Sequence, residues 1–162
     1  MTLSETLTSF LIHYGIMGLF LGSFVGSLIF FPAPLEIVTV VSVTAGYDPL
    51  QVAISMTFGS LLGALANYYM GYVGSKVMLK EKDLRKIEQW INKWGDPVVF
   101  ITSLLPFPFD VVAVGVGILR MRVKDFVIAS FLGKLLKFFF FAFVGRVIWK
   151  YLGITLIPQT NI

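Results

Sequence analysis

Cysteine is absent from the 162 residues, which excludes disulfides and thiolate metal sites. Histidine occurs once, as His13, so a zinc or haem site would rest on carboxylates alone, a poor ligand set for either. No metal and no cofactor is therefore expected. Charge is scarce: 14% of the residues are charged and 57% are hydrophobic, whereas soluble domains carry about a quarter charged. The sequence has no nucleophile elbow, phosphate loop or metal-ligand cluster, so hydrolytic or transferase chemistry lacks machinery and an enzyme is not expected. The segment Met1 to Thr6 lacks the basic stretch of a cleaved signal peptide, and the first apolar run is expected to be retained.

What is present is long apolar runs. The first extends from Phe10 to about Gly46 and is interrupted by Pro32, Pro34 and Glu36. The second covers Leu50 to Met78 and contains Gly59, Gly63, Gly71 and Gly74. The third, Val98 to Leu119, is interrupted by Pro106, Pro108 and Asp110, and the last, Phe126 to Ile157, carries Lys134, Lys137, Arg146 and Lys150. Between the second and third, Leu84, Ile87, Trp90, Ile91 and Trp94 recur at helical spacing among charges. That pattern predicts an amphipathic helix over about 80–94, lying in the membrane interface. The net charge of +4 sits in loops beside apolar segments, which reads as membrane orientation and not as a nucleic-acid face.

An offset of 74 positions superimposes one half of the sequence on the other without a gap. Pro32 meets Pro106, Pro34 meets Pro108, Glu36 meets Asp110, Gly59 meets Gly133 and Gly71 meets Gly145. Apolar identities alone would mean little between two membrane helices; two prolines, an acid and two glycines in one register are hard to obtain by chance. Each half is a Pro-x-Pro-x-acid segment followed by a glycine-bearing helix.

A spanning helix needs about 20 residues to cross roughly 30 Å of hydrocarbon. The arms flanking Pro32 and Pro34 are about 12 to 16 residues long and those flanking Pro106 and Pro108 about 10, too short to span separately. Two prolines in three positions favour a turn over a kink, which makes each run a re-entrant hairpin. Basic residues collect on the cytoplasmic side, and Lys76, Lys80, Lys82, Arg85, Lys86, Lys93, Arg120, Arg122 and Lys124 share one side only if both runs are re-entrant. The expected fold is thus an all-α integral membrane protein: an inverted repeat of re-entrant helical hairpin plus transmembrane helix, with the amphipathic helix between repeats. One membrane domain spans 1–162, with repeat one over about 10–78 and repeat two over about 96–155. Loops 76–95 and 120–124 are expected in the cytoplasm and both termini outside, in a multi-pass protein of the cell membrane.

Glu36 and Asp110 fall in the first turn of the half-helix after each Pro-x-Pro, where proline pre-sets the turn and an acid meets unpaired N–H groups. As plain helix caps they need no further role. Intramembrane acids are by default functional, however, and a carboxyl taken out of water can exchange protons in the physiological range. They are the proton-coupling candidates. Lys134 and Lys137 lie on one face of the last helix, too deep for easy snorkelling. Two readings stand side by side: ion pairs with the acids, or contacts to an anionic group such as a phosphate held at half-helix N-termini. Arg146 and Asn67 complete the substrate-binding candidates, although Asn67 could equally bond a neighbouring helix. Gly59 with Gly63, and Gly18, Gly22 and Gly26, have small-xxx-small spacing, read as packing within the chain in preference to a homo-oligomer face. Phe138 to Phe141 reads as lipid-facing and packing bulk. Trp90, Trp94 and Trp149 read as interfacial anchors, and His13 as an interfacial polar residue.

Several of these residues resemble the DedA/VTT (SNARE-associated Golgi protein) superfamily. The likeness runs from Tyr14-Gly15 through Pro32-x-Pro34-x-Glu36, Gly59, Gly63, Asn67 and Trp94-Gly95. It ends with Pro106, Asp110, Gly117, Phe126 and Gly133-Lys134-x-x-Lys137, the last most similar to the YqaA-like branch. The resemblance implies paired re-entrant hairpins and lipid movement across the bilayer, in some relatives of polyprenyl phosphates or phospholipids with proton or cation coupling. Better-studied DedA members carry arginines near the second hairpin's proline, where this chain has Ser103 and Phe109; Lys134 and Lys137 are the candidate substitutes. The expected function is a transporter or flippase for an anionic lipid, with membrane lipids and protons or a monovalent cation as partners. A small-cation or drug exporter is one alternative, and a non-transporting membrane scaffold with structural ion pairs is another.

Overall fold

The computed structural model describes residues 3–28, 34–78, 95–105 and 109–152. The interfacial helix expected over 80–94 and Pro32, Pro106 and Pro108 lie outside the described residues, as does the side chain of His13. Every described element is an α-helix: α1 Leu3–Gly26, α2 Leu35–Thr44, α3 Pro49–Met78, α4 Gly95–Leu104, α5 Phe109–Ile118 and α6 Val123–Leu152. The first helix starts earlier than its apolar run because Leu3 to Ser9 continues helically until a kink at Gly15 (φ 51°, ψ −135°).

Among the described residues, two helices are long and apolar enough to cross a membrane, Pro49–Ser75 and Val123–Tyr151. The ten-residue α2 and α5 reach about 15 Å at 1.5 Å per residue, half of the hydrocarbon thickness. Large apolar side chains cover the outside, among them Met17, Ile37, Val111, Ile128, Phe140 and Phe143, each at least 59% exposed. A soluble domain does not leave such a coat in water; lipid is its solvent.

Two apolar clusters form the interior. One joins Ala64 and Tyr68 of α3, Val99 of α4, Phe109 and Ala113 of α5, and Phe126 and Ala129 of α6. The other joins Leu19, Leu35 and Val43 to Val52 and Met56 of α3 and to Phe138 and Ala142 of α6. The early part of α3 thus meets the late part of α6 and vice versa, so the two long helices run antiparallel. Phe138 is fully buried there, so within the Phe138–Phe141 run it is packing bulk and not lipid-facing. The residue follows Lys137 on the inward face of α6, whereas Phe139 and Phe140 point outward.

Glycines set the helix separations. A Cβ on Gly59 would collide with Ser23 and the Phe20 carbonyl of α1, and one on Gly133 with Ser103 and Phe100 of α4. A Cβ on Gly71 would collide with the Val114 carbonyl of α5, and one on Gly145 would stand 3.1 Å from the Val40 carbonyl of α2. Each long helix therefore packs through a glycine on the first helix of its own half, two elements back, and through another on the short helix of the opposite half that carries the acid. Gly22 has open space around its Cβ position.

Candidate functional site

On α6, the apolar clusters take Phe126–Ala129 and Phe138–Ala142, and Lys134 and Lys137 fall between them. Both are buried, 3% and 6% exposed. Spacing of three residues on a helix puts them on one face, and the same face carries buried Ser130 and Gly133.

Glu36 and Asp110 occupy the first turns of α2 and α5. Pro34 stands at the N-cap of α2 with φ −75°, and its carbonyl accepts from the amides of Ile37 and Val38, so the chain enters the helix immediately at the acid. Lys137 Nζ donates to Glu36 Oε1 at 2.8 Å. This ion pair ties α6 to α2 across 101 positions. Asn67 of α3 is fully buried, and its Nδ2 donates to the Ser27 carbonyl at 2.7 Å and to Asp110 Oδ1 at 3.3 Å. The amide thus joins the end of α1 to the start of α5, bonding neighbouring helices while contacting the acid.

Lys134 differs from Lys137. Its ammonium lies 4.8 Å from the centroid of the Phe109 ring and makes no ion pair or hydrogen bond among the described residues. Asp110, Glu36 and Lys137 all act on it electrostatically. Two acids and two lysines therefore make a cluster of zero formal charge, in which one lysine is paired and the other rests on an aromatic face, a cation–π contact that a buried ammonium favours. One helical turn before it, Ser130 Oγ is buried and has no hydrogen-bond partner among the described residues.

The structure thus brings Glu36, Asp110, Asn67, Lys134 and Lys137 into one interior cluster. It does not bring Arg146 there: that side chain is exposed on α6. Of the four prolines expected at hairpin tips, Pro34 alone is described, and it is exposed. Sequence reasoning missed Phe109 as the support of Lys134 and the Ser27 carbonyl as a partner of Asn67. Phe109 carried a signal, since it stands where the resemblance expects an arginine. The Ser27 carbonyl carried none, because a backbone acceptor is invisible in a sequence.

An all-helical, lipid-coated protein with a charged cluster between two apolar ones defines a class of membrane protein, and comparison with known families narrows it. The VTT domain family matches residues 33–147, and this chain belongs to that family, within the DedA/VTT superfamily of membrane proteins. It is 34% identical to an uncharacterised protein of Methanocaldococcus jannaschii over 82% of this chain and 85% of the relative. It is 31% identical to the uncharacterised membrane protein YbfM of Bacillus subtilis over 89% and 96%. It is 25% identical to undecaprenyl phosphate transporter A of Staphylococcus aureus over 89% and 79%. No solved structure matches the chain.

Proposed function

We propose that this chain is a multi-pass transporter of the cell membrane that moves an anionic, phosphate-bearing lipid, such as a polyprenyl phosphate or a phospholipid, with coupling to protons or a monovalent cation. The observation that carries the reading is Lys134, an interior ammonium with no direct ion pair or hydrogen bond among the described residues. Keeping such a charge in a membrane interior is costly unless something pairs with it. A lipid phosphate would give Lys134 the direct ionic contact that Asp110, bonded to Asn67, does not make. The name of the staphylococcal relative supports the same ligand class.

Roles then divide. Lys134 contacts the phosphate, and Lys137 holds Glu36 and lends charge from one turn away. Asp110, held by Asn67, is the first acid to meet the exchanged proton, with Glu36 as its counterpart. Arg146 lies twelve residues beyond Lys134, about 18 Å along α6 at 1.5 Å per residue, so it meets a headgroup only as it arrives or leaves.

The architecture proposed is one domain over 1–162, an inverted repeat in which the Pro-bearing segments are re-entrant hairpin tips. Three observations support it: α3 and α6 are related by the 74-position offset and run antiparallel, α2 and α5 are too short to span, and Gly71 on Val114 has its counterpart in Gly145 on Val40. Loops 76–95 and 120–124 are assigned to the cytoplasm and the termini to the outside.

Reconstitution into liposomes with a fluorescent polyprenyl phosphate tests the function. Wild type should move the lipid. Lys134→Gln should lower its apparent affinity about tenfold, the equivalent of one charge-assisted contact. Asp110→Asn should move lipid without responding to a pH gradient, since an amide does not titrate near neutrality. Movement of a lipophilic cation and not of the phosphate lipid would make the protein a cation exporter, and movement of neither would make it a scaffold.

A further inference from the structure

A second cationic site stands apart from the interior cluster, at the turn between α5 and α6. A cavity of about 410 Å³ opens there, lined by Tyr68, Tyr69 and Tyr72 of α3 with Arg120, Met121 and Arg122 of the turn. The Tyr68 hydroxyl donates to the Met121 carbonyl, which anchors the turn to α3. Arg120 is positioned from its inner side: Nε donates to Ser75 Oγ at 3.3 Å, and the guanidinium carbon lies 5.8 Å from the Tyr72 ring centroid. Its terminal nitrogens make no hydrogen bond, and it pairs with no carboxylate, among the described residues. A guanidinium fixed at Nε with its fork free is suited to an anion with two oxygens to offer.

The matching turn between α2 and α3 shows what is unusual here. Gly46 and Arg120 are 74 positions apart, and each has a positive φ, 99° and 56°. Their backbone bonds correspond one for one: the Gly46 amide to the Val43 carbonyl and the Arg120 amide to the Gly117 carbonyl, each 3.0 Å, then Tyr47 to Ser42 and Met121 to Val116. Glycine adopts this left-handed conformation freely, whereas any residue with a Cβ is strained there. The next matched pair inverts charge. Asp48 accepts from the amides of Leu50 and Gln51, and its counterpart is Arg122, which pairs with Asp125. One turn thus has a relaxed glycine with an acid two residues on, and the other a strained arginine with a second arginine two residues on. Folding alone would favour glycine at position 120. A non-glycine residue held in that conformation is a pointer to function.

We propose that the Arg120 turn binds the phosphate of a net-anionic membrane lipid headgroup, as a peripheral site distinct from the Lys134 cluster. The lipid source follows from the lining: Arg120 bonds Ser75, the last residue of the apolar span of α3, and Tyr69, less than two turns before it, is 47% exposed, the level at which tyrosine and arginine meet headgroups. The ligand's identity rests on the lipid reading given above, but the site does not depend on transport.

The test uses purified full chain in a neutral detergent, titrated with dihexanoyl phosphatidic acid, dihexanoyl phosphatidylcholine and inorganic phosphate. Wild type should bind phosphatidic acid in preference to phosphatidylcholine. Arg120→Gly installs the residue of the matching turn, so the protein should be at least as resistant to thermal unfolding without ligand. Its affinity for phosphatidic acid should nevertheless fall about tenfold. Arg120→Lys keeps the charge but loses the fork and should fall between the two. Inorganic phosphate competing for the site would show that the phosphate group alone is recognised; failure to compete would show that the acyl part contributes. Wild-type affinity in Arg120→Gly, or equal binding of the two lipids, overturns the proposal. Lys134→Gln should leave this binding in place. If Lys134→Gln also leaves transport untouched, the interior-site reading fails and the Arg120 site stands.

Discussion

Lys134 and Lys137 are one residue type, one helical turn apart and almost equally buried, yet their surroundings assign them different work. Lys137 has Glu36 at 2.8 Å; Lys134 has a phenyl ring. Removing one partner of a buried ion pair strands the other charge, which costs several kcal/mol when both are fully buried. Glu36 keeps some exposure, so Lys137→Gln should destabilise by about 2–3 kcal/mol. Thermal unfolding in detergent measures it, and adding Glu36→Gln should recover most of the loss. Lys134→Gln breaks no direct ion pair but takes a nearby counter-charge from Asp110, so it should lower the unfolding midpoint by less than Lys137→Gln while damaging lipid affinity. Equal destabilisation by the two variants would show that both lysines are structural. A sequence could place both lysines among the acids, but not decide which one finds a partner within 3 Å, because that depends on where α2 ends up.

At the scale of the element, glycine positions separate contact from free surface. Gly71→Ala drives a methyl into a backbone carbonyl of α5, which no side-chain rotation can relieve, so a loss of about 1–3 kcal/mol is expected. Gly145→Ala meets the Val40 carbonyl at 3.1 Å and should cost less. Gly22→Ala meets nothing within 4 Å and should be neutral or slightly stabilising through helix propensity. Chemical denaturation of the three variants in micelles orders them; an order with Gly22→Ala worst would contradict the packing described. The sequence pattern pointed to close packing within the chain, and Gly59 and Gly63 do pack on α1. It could not tell these from Gly22, because small-xxx-small spacing is the same on both sides of a contact.

For the whole molecule, the decisive quantity is topology. The absence of cysteine permits single-cysteine labelling on an unreactive background. Cysteines replacing Thr2 and Asn161 should react with an impermeant reagent added to intact cells, and one replacing Gln89 only after the membrane is opened. Labelling of Gln89 and Asn161 positions from the same face would refute the inverted hairpin arrangement.

The structure also adds a register that the 74-position offset does not contain. Ser23 donates to Phe20 and Ser103 to Phe100, each at 2.9 Å, and these serines pack on Gly59 and Gly133 respectively. The residues of this pair are 80 positions apart, so the first arm of the first half carries six residues more before its prolines (80 less 74). A search for one constant offset is blind to this, since an insertion breaks the register and leaves only scattered matches.

What the sequence alone determined is what depends on composition and period: a lipid-embedded helical protein, two long apolar helices, acids at the start of two short ones, and lysines on one face of the last. Such features are local, set by hydrophobicity, proline and helical spacing, and survive without knowledge of neighbours. The tertiary structure alone decided that α2 packs on α6 and α5 on α3, that Lys137 takes Glu36 while Asn67 takes Asp110, and that Arg120 stands strained where its counterpart is glycine. Those facts depend on which residues come within a few ångströms across a hundred positions of chain, and short-range electrostatics and steric contact act only there.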